Sequence, residues 1–554
     1  MGADADFLVI GGGAAGAVLA SRLSEDPDRR VILVEAGADT PPGAVPADIA
    51  DIFPRSYSNP AYGWPGLSAT GVRGGPPRAF SQGRIMGGGT SVMGMWALRG
   101  LAADYDGWLE RGASGWGWSD VEPYFQRLQG SAENPLPGTF PVRRIPREDW
   151  PGYISRLERA AARAGLEYGA DINATERDGF FQIPLSQDAG VRASAAHSFL
   201  TPQVRRRANL RILTDTEVTE LAWRDGTVCG ARARRGSERL QIEAQRTIVC
   251  AGAIHSPALL MRSGIGPAAD LAALGLTTRV DLPGVGRNLQ NHVCVNLGLT
   301  LAASERQAPV LRNYGVACAR LSSGVAGGRG DLLLAFIGRT GMRAIGRAIA
   351  IAGIFLYAPT SRGTVGLKRE GETFHTEVAF NMVDTPEDEG RLAHGLNAVL
   401  GLLSDPALAD ACEEVFLLPA VPPLQRLNRP GTLASVQASL GSLLLTNRYS
   451  RRRMLSGALG SGRIFPANAL SEASAEFRSL LKQSAAPMFH VAGTCAIGPA
   501  SDPMAVVSPG CAVHGTAGLF VADASIMPVV PRANTFLPAA MVGLRAADLL
   551  RTTG

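Results

Sequence analysis

The chain has 554 residues, too many for one hydrophobic core, so two or more domains are expected. Its hydrophobic content of 46% is that of an ordinary globular protein, and a net charge of +5 without a basic stripe gives no support for nucleic-acid binding. Glycine is in excess, 66 residues where about 7% is typical, which suits a backbone that must turn sharply or approach a ligand.

The first element is an apolar strand, Phe7-Leu-Val-Ile10, running into Gly11-Gly-Gly-Ala-Ala-Gly16, a helix from Ala14 to Leu23, and a second apolar strand, Val31-Ile-Leu-Val, that ends in Glu35. Each part has a physical task. Gly11 permits the tight turn, Gly13 lets the backbone approach a pyrophosphate, and Gly16 lets the helix pack close on the strand. The helix N-terminus offers free N–H groups and its positive dipole end to phosphates. Glu35 accepts from two ribose hydroxyls and repels a 2′-phosphate. Dinucleotide binding is therefore expected on Gly11, Gly13, Ala14, Ala15, Gly16, Glu35 and Ala36.

Residues 41–80 are rich in Pro, Gly and Ser and read as a long excursion before Gly83-Arg-Ile-Met-Gly-Gly-Gly-Thr-Ser-Val-Met-Gly-Met-Trp-Ala-Leu-Arg-Gly100. Amphipathic helices are expected at Val121–Gln129 and Trp150–Ala164. A third glycine-bearing segment, Gly252-Ala-Ile-His-Ser-Pro-Ala-Leu-Leu-Met-Arg-Ser-Gly-Ile-Gly266, opens a helix, and Pro283-Gly-Val-Gly-Arg-Asn-Leu-Gln-Asn-His292 follows it. The runs Asp331–Gly338, Ala348–Tyr357, Gly363–Leu367 and Thr376–Phe380 have no helices between them, so an antiparallel sheet is expected there. Helical patterns cover Asp388–Leu403 and Ser474–Gln483. A buried parallel strand is expected at Leu519–Asp523 and a closing helix at Ala539–Leu550.

No basic segment precedes an apolar one at the N-terminus, and Ala348–Ala358 is too short to span a bilayer, so no membrane insertion is expected. The seven cysteines are scattered and form no CxxC, which argues against a disulfide framework or a metal site. A reducing cytoplasm is the simplest setting, and positive charge carried almost wholly by arginine suits a GC-rich bacterial genome.

These segments together resemble the glucose–methanol–choline (GMC) oxidoreductases over residues 5–550, nearest to members that oxidise furanic and aryl alcohols. The resemblance implies an α/β fold: a Rossmann-like FAD-binding domain with an inserted substrate domain built on an antiparallel sheet. The implied division is 1–152, 194–294 and 485–554 for the FAD-binding domain, and 153–193 and 295–484 for the substrate domain. It also places Arg84, Met86, Gly89, Thr90, Met93, Gly94, Met95 and Trp96 in the FAD site, with Val218, Asp523, Ala524, Thr535 and Phe536. Met86 and Met93 depart from the family pattern. Val92 stands where some members carry a flavin-linked histidine, so FAD is expected to be held non-covalently.

The implied catalytic pair is His490, in Met488-Phe-His-Val-Ala-Gly-Thr, and Asn534, in Pro531-Arg-Ala-Asn-Thr-Phe. An alcohol must lose its hydroxyl proton as its α-hydrogen leaves as hydride, and a neutral imidazole suits the first task. Asn534 adds a hydrogen bond to the alkoxide without competing for the proton. Thr535 and Phe536 are expected to meet the pyrimidine edge of the flavin with their backbone. The other histidines, His292 and His255 among them, are expected to be structural or superficial. The expected reaction is oxidation of small aromatic or furanic primary alcohols by hydride transfer to flavin N5, with O2 reduced to H2O2. The alternatives are a choline-type dehydrogenase that passes electrons to a quinone or another carrier, and the non-redox members, hydroxynitrile lyases and photodecarboxylases.

Overall fold

Strands that are apolar on both faces fit only inside a covered sheet. Ala5–Ile10 and Val31–Val34 are such strands, and they lie parallel with Phe7 opposite Val31 and Ile10 opposite Val34. The structure is a computed structural model that describes residues 3–130, 138–419, 432–445, 447–459, 463–465 and 475–552. Leu210–Leu213 extends this first sheet on one side, and Glu238–Val249 and Leu519–Val521 extend it on the other, all parallel. Glu238–Val249 is twelve residues long and does two jobs. Its second half pairs with Ala5–Ile10, and its first half turns back antiparallel on Thr227–Arg235, which pairs in turn with Glu217–Arg224.

The helix Ala14–Leu23 packs on this sheet beneath the closing helix Phe536–Thr552, which begins earlier than the expected Ala539. Gly543 makes that crossing possible: a Cβ there would lie 2.3 Å from the carbonyl oxygen of Ala15.

The second sheet has nine strands, with Ala317–Leu321, Leu332–Ile337, Ile349–Leu356, Val293–Leu301 and Cys412–Leu417 adjacent in that order and antiparallel. Gly179–Gln182 pairs beyond Ala317–Leu321. Helices Gly152–Arg163 and Pro386–Leu403 lie close to their expected positions. Helix Ala475–Ser484 matches the expected Ser474–Gln483, and Ser474 itself lies outside the described residues.

One expectation is corrected. The four strand-like runs divide between two sheets: Leu332–Ile337 and Ile349–Leu356 enter the nine-stranded sheet, whereas Thr364–Glu370 and Thr373–Ala379 form a hairpin of their own. Burial separates them, because Leu332–Ile337 is covered throughout while Thr364–Glu370 hides only alternate residues. Nor is the 41–80 excursion featureless. Ser68–Thr70 pairs parallel with Val378–Ala379 and antiparallel with Pro77–Ala79, so that segment completes the hairpin's sheet.

Candidate active site

The first turn is shaped by sterics. Gly11 has φ +105°, and a Cβ on Gly16 would lie 1.9 Å from the Gly11 carbonyl oxygen, so a side chain at Gly16 would push the helix off its strand. At Gly13 the opposite holds: a Cβ would meet nothing within 4 Å, which leaves open space at the mouth of the helix. No side chain caps that helix end. Gly88 brings the second glycine segment in so that its own Cβ would lie 3.0 Å from the Gly13 Cα. Backbone meets backbone there, beside the uncapped end of the helix.

Glu35 is buried, and its two carboxylate oxygens each accept one N–H, from Gly12 and Gly37, both at 2.8 Å. Burial raises its pKa while those N–H groups oppose the rise. Each oxygen keeps a lone pair for a ribose hydroxyl. Ala14 and Ala15 begin the helix, and Ala36 follows Glu35 at the edge of the cleft. Arg84 lies 3.9 Å from Glu217, next to Val218 at the start of its strand.

Met86 is fully buried against the first loop, its sulfur 2.5 Å from where a Gly12 Cβ would stand. The short helix Gly89–Val92 has Thr90 pinned by the Ala195 N–H at 2.9 Å, with Gly89 and Gly94 exposed on either side. Behind it, the buried Arg192 donates to the Met93 carbonyl at 2.6 Å and to that of Thr90 at 3.2 Å. Val92 packs in an apolar cluster with Ile49 and Ile85. Met95 and Trp96 are buried, and the Trp96 indole N–H donates to the Tyr314 carbonyl at 3.3 Å.

Asp523 anchors the third glycine segment. Its carboxylate accepts from Gly252 N at 2.8 Å, Ser256 Oγ at 2.6 Å and Ser525 N at 2.7 Å. Gly252 has φ +82° and nothing within 4 Å of a Cβ position, so the helix Gly252–Arg262 also opens on free space. Ala524 receives the N–H of Gly493, which ties this corner to the His490 segment. A cradle of two unobstructed glycines, a buried acid with free lone pairs and an uncapped helix end fits a dinucleotide.

His490 and Asn534 are brought together from opposite ends of the C-terminal region: Asn534 Nδ2 is 2.9 Å from His490 Nε2. Thr535 and Phe536 follow, half-buried, at the head of the closing helix, with Phe536 edge-on to Phe140 at 4.6 Å. Tyr357, from the nine-stranded sheet, donates its hydroxyl to Asn534 Oδ1 at 2.8 Å. On the other side of the ring, His490 Nδ1 is 2.9 Å from His292 Nδ1. The backbone N–H of His490 donates to Asn291 Oδ1 at 2.9 Å. Phe489 holds φ +65°, a conformation costly for a bulky side chain, and its ring stacks on Phe80 at 5.0 Å with Tyr57 edge-on at 5.4 Å.

Burial lowers the His490 pKa to about 3, and burial together with the His490 charge holds His292 well below its usual range. Burial thus favours the neutral ring and makes it a weaker resting base than an imidazole near its free pKa of about 6.5. The expectation that His292 and His255 are structural divides. His255 stacks on Trp64 at 4.1 Å, far from His490 in its bonding, whereas His292 touches the candidate base directly. Asn291 and His292 were within reach of sequence reasoning, since both end the Pro283–His292 motif. Tyr357, Tyr57 and Phe80 carried no local signal.

Residues 5–294 match the N-terminal model of the GMC oxidoreductase family and residues 359–543 its C-terminal model. The chain is 35% identical to a 5-(hydroxymethyl)furfural oxidase from Methylovorus sp., covering 99% of this chain and 98% of that one. It is 30% identical to an oxygen-dependent choline dehydrogenase from Sinorhizobium fredii, over 98% and 95% of the two chains. Among solved structures it is similar to pyridoxine 4-oxidase from Mesorbium loti, with a TM-score of 0.78, 26% identity and 99% of each chain covered.

Proposed function

The chain belongs to the GMC oxidoreductase family, an FAD-dependent oxidoreductase acting on CH–OH groups, and from that premise we propose that it oxidises small aromatic or furanic primary alcohols to aldehydes with O2 as acceptor. The observation that carries this reading is the His490–Asn534 pair at 2.9 Å, with Phe489, the residue before the base, set against the rings of Phe80 and Tyr57. An apolar, flat-sided wall favours a ring over a polyol, and the choice between a ring and a quaternary ammonium is left to the assay.

The Gly13–Ala15 N–H groups and Glu35 would hold the dinucleotide portion of FAD, and Gly89 to Trp96 with Thr535 and Phe536 would border its ring. FAD, when bound, supplies the acceptor for the α-hydrogen and its two electrons. The protein supplies the proton chemistry. His490 Nε2 takes the hydroxyl proton, and Asn534 Nδ2 donates to the alkoxide oxygen as its charge develops. A ring held near pKa 3 at rest is a poor base in isolation. The alkoxide forms beside the imidazolium, however, so the pair carries no net charge and the burial cost is smaller than for a lone imidazolium. With Val92 packed against Ile49 and Ile85, no nucleophile stands at the tethering position, and FAD is held without a covalent bond.

The test is an H2O2 assay across benzylic, furanic, aliphatic and amino alcohols, paired with anaerobic mixing. Flavin bleaching with H2O2 formation on ring-bearing alcohols supports the reading. Bleaching without H2O2 assigns a different electron acceptor, and no bleaching assigns a non-redox reaction.

A further inference from the structure

A neutral imidazole carries one N–H and one lone pair, so a base that must present Nε2 to its substrate has to be kept from the other tautomer. His490 sits in a chain of contacts, Tyr357–Asn534–His490–His292, that can be polarised in only two ways. In one, each proton points away from Tyr357: its hydroxyl to Asn534 Oδ1, Asn534 Nδ2 to His490 Nε2, and His490 Nδ1 to His292 Nδ1. In the other, the Asn534 amide turns over so that Nδ2 donates to Tyr357 and Oδ1 accepts from His490 Nε2, and the His490 lone pair faces His292 instead of the cleft.

We propose that His292 is a positioning residue that accepts the Nδ1 proton of His490 and thereby fixes the tautomer whose Nε2 lone pair, held by Asn534 Nδ2 at rest, is left to take the substrate hydroxyl proton. This rests on His490 being the base. Three observations select that polarity. The Tyr357 hydroxyl holds Asn534 Oδ1 at 2.8 Å, an acceptor it would lose in the reverse chain. The carbonyls of Tyr357 and Pro531 lie beside the His292 ring and favour a proton on it. Nδ1 is the nitrogen engaged with His490, so Nε2 is left to carry that proton and Nδ1 stays bare. Finally, His292 is fully buried and stacked on Tyr357 at 4.5 Å, which keeps it from carrying two protons.

The rest of the motif is built to hold this contact. Asn288, in the left-handed region at φ +57°, donates to the carbonyls of Gly493 and Pro528. Gln290 pairs backbone to backbone with Ala492, and its side chain bridges the Pro528 carbonyl and the Val530 N–H. Asn291 takes the backbone N–H of His490, and Met488 N–H donates to the His292 carbonyl. The segment that sequence alone assigns to scaffolding grips His490 by main chain and side chain at once. When Nε2 gains a proton, Nδ1–H still points at the His292 lone pair, so the imidazolium is stabilised without a buried carboxylate.

The experiment compares His292→Gln, whose amide oxygen can still accept, with His292→Leu, which fills similar space without a lone pair. Each is purified with FAD and mixed anaerobically with an alcohol oxidised by the wild type. The Leu variant should lose about 10- to 100-fold in the bleaching rate with little change in KM, and the Gln variant should recover most of that loss. Both should keep wild-type FAD content. Nitrogen-15 histidine spectra of the wild type should show a proton on Nδ1 of His490, identified by its absence in His490→Ala, and the Leu variant should lose this single tautomer. Equal losses in Gln and Leu, or a wild-type His490 protonated on Nε2, would overturn the proposal. If the spectra agree but His490→Ala bleaches at the wild-type rate, the base assignment fails instead.

Discussion

The two sides of the cleft are built by opposite means. The side we assign to the dinucleotide is backbone: Gly11, Gly13, Gly16 and Gly88 bring main chain against main chain, and Glu35 and Asp523 brace it by accepting main-chain N–H groups. The substrate side is made of side chains, His490, Asn534, Tyr357, His292 and Phe489, delivered by segments far apart in the chain. Backbone recognition needs only a turn and a helix end, so it is local and compact. Orienting a proton acceptor needs donors and acceptors from several directions, which only tertiary structure can supply.

That contrast can be broken at several points. The largest effect is expected for His490→Ala, about 10²- to 10⁴-fold slower flavin bleaching by alcohol, with FAD content near normal. The loss should shrink at high pH as hydroxide pre-ionises the alcohol, and rapid mixing without oxygen isolates the step. Glu35→Ala should do the reverse, weakening FAD binding by about 10- to 100-fold through lost charge-assisted hydrogen bonds. Titration of the apoprotein measures it, and an unchanged dissociation constant would remove Glu35 from the ribose site. Asn534→Ala is expected to slow bleaching by about tenfold, because it removes one hydrogen bond and leaves the proton acceptor. Phe489→Ala should raise KM for aromatic alcohols a few-fold with aliphatic ones little affected, consistent with about 0.5–1.5 kcal/mol per aromatic contact.

The smallest expected effect concerns acid stability. His490 and His255 have folded pKa values pushed down to about 3 by burial, below the ordinary value of 6.5. The unfolded state therefore binds more protons between those limits. Their contribution is complete above pH 6.5 and is lost as pH falls toward 3. The thermal midpoint should fall on acidification across that window, and His255→Phe, which keeps a ring on Trp64, should flatten the fall.

Legibility in the sequence follows the same division. The Gly11–Gly16 turn and Glu35 lie within one strand–helix–strand unit, so their spacing alone points to a dinucleotide. His292 and His490 lie 198 residues apart, and no local pattern joins them. Tyr357 directly follows an ordinary apolar strand, and nothing in its neighbourhood points to Asn534. The hairpin Thr364–Ala379 reads like a member of the larger sheet because strand periodicity reports pairing tendency and not partner. Its partner Ser68–Thr70 sits in a segment whose Pro and Gly content masks so short a strand.

The parallel sheet also carries information about the order of synthesis. Val249 and Val521 are adjacent across it, yet about 270 residues separate them, and the closing helix that covers Ala14–Leu23 comes later still. At about 5–20 residues per second, a ribosome needs roughly 15–50 s to bridge that gap. During that interval the N-terminal glycine turn is out of the tunnel with one flank of its sheet bare and its helix uncovered. Cofactor capture is thus coupled to the last stretch of the chain, and a nascent protein arrested before Leu519 should be unable to retain FAD and should present an open sheet edge to chaperones.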